Sequence, residues 1–243
     1  MLSGVMPYTG DPTLDRSGVI NRSRHLLPGA VLFAGLAGYV NTVALDYFAT
    51  PVSHMSGAIS HLGANLGEGR MADALASLGI IGGFLAGAIA AGATIGAIHL
   101  GPGRRYGWTL LVEAGLIAWG ATLLGHGTRA GLPLLAMACG LQNAMTSSYC
   151  GLAIRTTHVT GTVTDMGVML GHWIRHRAVD GYKLRLIFGV TLAFGIGGVG
   201  GAMAVLHWGP RCLVAGVGFC LGAAALMFRW SRQGWLRRDL ERV

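Results

Sequence analysis

Two histidines, His54 and His158, stand in runs of the same chemical character. The first is Ser53-His54-Met55-Ser56-Gly57-Ala58-Ile59-Ser60 and the second is Thr157-His158-Val159-Thr160-Gly161-Thr162-Val163-Thr164. Ser53, Ser56, Thr157 and Thr160 are good helix N-cap types. Gly57 and Gly161 let a ligand come close to the backbone. A helix that starts in such a run presents free N–H groups and a partial positive charge, and Arg155 adds a full charge beside the second. The set suits a small anionic or carboxylate-bearing solute; plain capping of two interfacial helices is the alternative. Asn41, Gln142 and Asn143 are amides in apolar surroundings. They either line the same site or stitch helices together.

Three further groups titrate. His61 follows His54 by seven residues, and Asp165 follows His158 by seven. Each pair shares a helix face but is separated by about 10.5 Å of rise, too far for both members to ligate one metal at about 2 Å. No metal site and no cofactor are expected. Glu113 sits within residues 110–120, surrounded by Trp and Leu. A carboxylate inside a membrane is costly and turns to a partner or a water-filled cavity. Asp165 is expected to meet Arg155, His158 or a neighbouring helix, or to sit near a membrane face where the cost vanishes. A deeply placed Glu113 is carried neutral. Proton coupling or ion pairing is the function that suits Asp165, Glu113 and His61; for Glu113 the alternative is an interhelical bond. HExxH, GxSxG, GxxxxGK[ST] and strand-linked GxGxxG are all absent, so no enzyme is expected. Cys139, Cys150, Cys212 and Cys220 show no CxxC spacing and read as small buried hydrophobes.

The elements that hold these residues are read from composition. Apolar residues make up 52% and charged residues 12%, half the charge of a usual soluble domain. Six stretches are long and apolar enough to span a bilayer: 26–47, 74–99, 106–126, 131–152, 184–206 and 211–229. Two shorter polar helices, 54–67 and 158–173, interrupt them. The fold expected is an all-α polytopic membrane protein with six full transmembrane helices and two short ones. Residues 1–25 and 231–243 read as basic cytoplasmic tails around one transmembrane domain, 26–230. With the short helices not crossing, 15 of the 18 Lys and Arg fall on one side, with Arg70, Arg129 and Arg211 on the other. The positive-inside rule then puts both termini in the cytoplasm. If both short helices cross, the split is 14 to 4, so charge alone leaves six and eight spans open. The basic residues cluster at span ends rather than on one face, which speaks against nucleic-acid binding; the partner implied is the lipid bilayer.

The chain also repeats itself. Gly38-Tyr39-Val40-Asn41 matches Gly140-Leu141-Gln142-Asn143 at an offset of 102, the two histidine runs match at 104, and Gly79, Phe84 and Gly87 match Gly189, Phe194 and Gly197 at 110. Two units follow, about 26–126 and 131–229. With three spans per unit, the second is inverted relative to the first, an architecture of transporters. A small-solute transporter or channel with a midplane site is the function expected first. A membrane component that binds or regulates a partner is the alternative, and an intramembrane enzyme the weakest. Glycines spaced by four, at 79, 83 and 87 and at 197 and 201, are expected to bring helix backbones together. A homodimer through a glycine-rich face stays open.

Gly38-Tyr39-Val40-Asn41, Val52-Ser53-His54-Met55-Ser56-Gly57, Gly140-Leu141-Gln142-Asn143-Ala144 and Arg155-Thr156-Thr157-His158-Val159-Thr160-Gly161-Thr162 resemble the YoaK family of bacterial membrane proteins, domain of unknown function 1275. The resemblance covers roughly residues 27–230 and implies a bacterial inner-membrane protein with no established substrate or reaction. The family commonly has Asp where Asn41 stands and Asn where Ala58 stands, so a charged role is not carried over to the first repeat.

Overall fold

The computed structural model describes residues 27–95, 104–149, 155–175 and 179–232. The expected tails and Cys150 lie outside these, apart from Ser231 and Arg232. The described elements are helical: α1 Leu27–Phe48, α2 Met55–Gly67, α3 Met71–Ile95, α4 Arg104–Gly125, α5 Gly131–Tyr149, α6 Val159–Ile174, α7 Gly181–Trp208, a 3-10 turn Gly209–Leu213 and α8 Val214–Arg232. Each expected stretch is matched by one helix, displaced by a few residues at its ends. Four stretches among the described residues are long and apolar enough to cross a membrane: Pro28–Phe48, Met71–Ile95, Arg104–Gly125 and the 52-residue Gly181–Arg232. The last contains both α7 and α8. The expected span 131–152 is not among the four; residues 150–152 fall outside the described chain. The apolar helices mark a multi-pass membrane protein.

Turn chemistry sets several ends. Gly69, Gly127 and Gly209 take positive φ, the region that costs a side chain energy. Asp180 caps α7, accepting from the backbone N–H of Tyr182 at 2.9 Å and of Lys183 at 3.0 Å. Asp73, in the first turn of α3, ion-pairs with Arg129 of the α4–α5 turn at 2.5 Å.

Close approaches fix the helix directions. Along α1 and α7 they advance together: Val31 meets Gly189, Gly35 meets Gly197 and Tyr39 meets Gly201, so the two run parallel. α3 and α5 also run parallel, with Gly79 on Pro133 and Gly87 on Met137 and Leu141. α8 runs against α1, because Gly216 meets Leu36 and Val40 while the Phe219 ring meets Phe33 at 5.6 Å. α4 runs against α8, with Gly107 on Phe228 and Ile117 near Gly216. α5 runs against α4, which it follows through a short turn, with Leu135 against Gly120 and Gly131 against Leu124. Hence α1, α4 and α7 point one way, and α3, α5 and α8 the other.

The tightest crossings need glycine. A methyl group on Gly38 would strike the Phe194 carbonyl, and one on Gly140 the Phe84 carbonyl. Likewise Gly197 abuts the Gly35 carbonyl and Gly87 the Met137 carbonyl. These are corresponding positions at sequence offsets of 102 and 110. Without a hydrophobic drive between helices in lipid, such contact at van der Waals distance is what holds them together.

Candidate functional site

The two short helices start well back from the ends of the long helices that precede them. α1 continues seven residues beyond Asn41 to Phe48, about 10 Å. The chain then turns through Ala49, at φ 53, and comes back to Asn41. There the Asn41 Oδ1 accepts from Val52 N at 3.1 Å, Ser53 N at 3.0 Å and Ser53 Oγ at 2.9 Å. Asn41 and Ser53 are both buried. One amide oxygen thus satisfies the loop that leads into α2. The His54 ring lies edge-on to Phe194 of α7 at 5.7 Å. His54 is half-buried.

The second start has the same plan with fewer bonds. Asn143 Oδ1 accepts from Thr157 N at 3.4 Å. Gln142, buried, donates through Nε2 to the Phe33 carbonyl of α1 at 2.7 Å and to Thr156 Oγ1 at 3.2 Å. His158 is exposed, and its ring folds over Gly161, where a Cβ would collide with it. Arg155 and Thr160 are exposed as well. α6 buries none of its residues, whereas α2 buries Ala58 and Asn65. α6 is held to α7 by a Thr162–Thr191 hydroxyl bond at 2.8 Å, and an apolar groove of about 910 Å³ opens between the two.

Several expectations are corrected. The N-caps of α2 and α6 are His54 and His158, without side-chain cap bonds; Ser53 and Thr157 precede them and turn to the asparagines instead. Ser56 and Thr160 lie in the first turn, exposed. Asn41, Ser53 and His54 come together, as do Gln142, Asn143 and Thr157, but each cluster closes on itself. Of the three partners considered for Asp165, the neighbouring helix is the one it meets, not Arg155 or His158. Asp165 is 53% exposed and faces Lys183 Nζ of α7 at 3.7 Å. Lys183 belongs to the first turn of α7, so Asp165 sits at the end of the bundle and pays little for its charge. His61 is exposed.

Glu113 is the reverse case. It is 1% exposed, nine residues into α4, and its Oε2 has no hydrogen-bond partner. The Cys220 thiol of α8 hydrogen-bonds to its carboxyl group, and Cys139 of α5 lies close by. Those thiols, together with Thr156, Phe194 and Lys183, were not singled out as contacts of the site from sequence. Phe194 carried a signal, since it is one of the matched repeat positions; the thiols carried none. Cys139, Cys212 and Cys220 are buried as expected. Among the described residues no group of His, Cys, Asp and Glu has the geometry to hold a metal ion.

A family model described as protein of unknown function (DUF1275) matches residues 29–226. No curated protein and no solved structure matches.

Proposed function

We propose, for a chain that belongs to the DUF1275 family of proteins of unknown function, that it is a six-span inner-membrane transporter or channel for a small anionic solute. Its two halves are inverted copies. The observation that carries this reading is direction: α1 and its counterpart α5 run oppositely, as do α3 and α7, and α4 and α8. With α1 and α3 opposed, a crossing α2 is disfavoured, because an intervening span would leave them parallel. α2 at 13 residues reaches only about 20 Å, short of the roughly 30 Å hydrocarbon layer. Both short helices then begin inside the membrane and run outward to opposite faces.

The charge pattern agrees. Arg70, Arg129 and Arg211 lie at one end of the bundle; Arg104, Arg105, Arg175, Lys183, Arg185, Arg229 and Arg232 lie at the other. The second end is cytoplasmic by the positive-inside rule, which brings both termini inside. The solute site forms at the short-helix starts, where helix N-termini favour anions. The second start is the more open, with His158, Thr160 and Arg155 accessible.

The test is uptake into proteoliposomes across a panel of small organic and inorganic anions, chosen by a thermal-shift screen for ligands that raise stability. His158→Ala is expected to abolish uptake while the protein still folds. Uptake unimpaired in both His54→Ala and His158→Ala, or cysteine labelling that puts the two ends of α2 on opposite membrane faces, would sink the reading.

A further inference from the structure

We infer that Glu113 is a proton-binding site in the middle of the bundle, and that the proton is the ion coupled to solute movement. The second half of this inference rests on the transport reading; the first does not. Glu113 lies about 13 Å along α4 from Arg104 and about 18 Å from Gly125, as deep in the bundle as a side chain on that helix can be. Among the described residues, none supplies a charge to balance a carboxylate there. The titratable groups that face it are thiols, Cys220 on α8 and Cys139 on α5, and it takes part in none of the ion pairs among the described residues. One oxygen receives a weak thiol hydrogen bond and the other receives nothing. An ionised carboxylate buried without a cation is penalised heavily, so in this conformation the group is held as the neutral acid.

Neutrality makes the site useful rather than inert. α4 and α8 are counterparts in the two halves and pack against each other through Glu113 and Cys220. Relative movement of the halves opens that contact, lets water reach the carboxyl group and releases one proton, leaving a carboxylate. Re-closing requires that a proton be taken up again. Of the three charged or ionisable candidates inside the helices, His61 and Asp165 are exposed already and need no proton to close; only Glu113 does.

The experiment is infrared spectroscopy of the purified protein in lipid at neutral pH. The C=O stretch of a neutral carboxylic acid is expected, shifted when all glutamates carry a 13C carboxyl group, and lost in Glu113→Gln. The chain has three glutamates, Glu68, Glu113 and Glu241, and the 13C shift identifies the residue type even if the Gln variant fails to fold. A wild-type spectrum with no glutamic-acid band overturns the site. Flux in proteoliposomes under an imposed pH gradient then tests the coupling. The gradient should drive uptake by the wild type, and Glu113→Gln should exchange solute without responding to it. A variant that still follows the gradient removes the coupling and leaves solute transport standing. Absence of any flux in the wild type, with the infrared band present, removes the transport reading and leaves the proton site.

Discussion

The starts of α2 and α6 have the same sequence plan and different mechanical quality. At the first, Asn41 is buried, holds three donors and lies beside a His54 ring packed on Phe194. At the second, the Asn143 side chain makes one long bond among the described residues, Gln142 shares the task, and His158 stands in the open. The body of α6 repeats the contrast, with no buried residue where α2 has two. One copy is built as an anchor and the other is left accessible. Matched residue types are therefore compatible with unequal roles, because burial of their neighbours differs.

Asn41→Ala gives the largest expected effect. It strands two buried backbone N–H groups and a hydroxyl, each at roughly 1–3 kcal/mol, and should collapse the thermal melt in detergent. Asn143→Ala loses one long bond and should cost about 1 kcal/mol or less. Equal losses at the two positions would end the distinction between anchor and open end. The glycine crossings predict the opposite pattern. Gly38→Ala and Gly140→Ala each push a methyl group into a backbone carbonyl and should destabilise alike, by about 1–3 kcal/mol; Gly29→Ala, with open space around it, should be silent in the same melts. Unequal glycine effects would mean that the two interfaces are not counterparts.

The histidines come next. His54→Ala loses an edge-on ring contact with Phe194, about 0.5–1.5 kcal/mol, and should lower the melting temperature modestly. His158→Ala should leave melting unchanged and weaken solute binding, read by loss of the ligand-induced thermal shift. If His54→Ala abolishes binding and His158→Ala does not, the working end is the first one. The smallest effect is expected at Asp165→Asn. Its partner Lys183 is at 3.7 Å and both are about half exposed, so the pair is worth about 0–1 kcal/mol and melting should hardly move.

Much of the helix pattern was legible because its cause is local. A long apolar run has few alternatives in lipid, where every backbone group must be satisfied within its own segment. The six long helices and two short ones were readable from hydropathy for that reason, with ends misplaced by a few residues where glycine and proline turns shift them. The small-residue spacing at Gly79, Gly83 and Gly87 correctly announced a close crossing. It did not announce the partner, since the spacing is the same for any neighbour. The site was legible only in part. Asn41 stood open between lining a solute site and stitching the fold together; its side-chain oxygen holds the returning loop. For Asp165 the sequence left both a partner and a place near a membrane face open, because hydropathy carries no depth along a short helix; Lys183 at the start of α7 is the group it meets.

Sequence by itself determined that this chain is a bundle of apolar helices, with residue types that recur at offsets of 102 to 110, since hydropathy and recurring residue types are properties of the chain alone. Only the tertiary structure decided which helices run together, which of the two histidines is covered, and that Glu113 lies enclosed beside two thiols. Direction and burial depend on what packs against a residue from elsewhere in the chain, and no spacing along the chain encodes that.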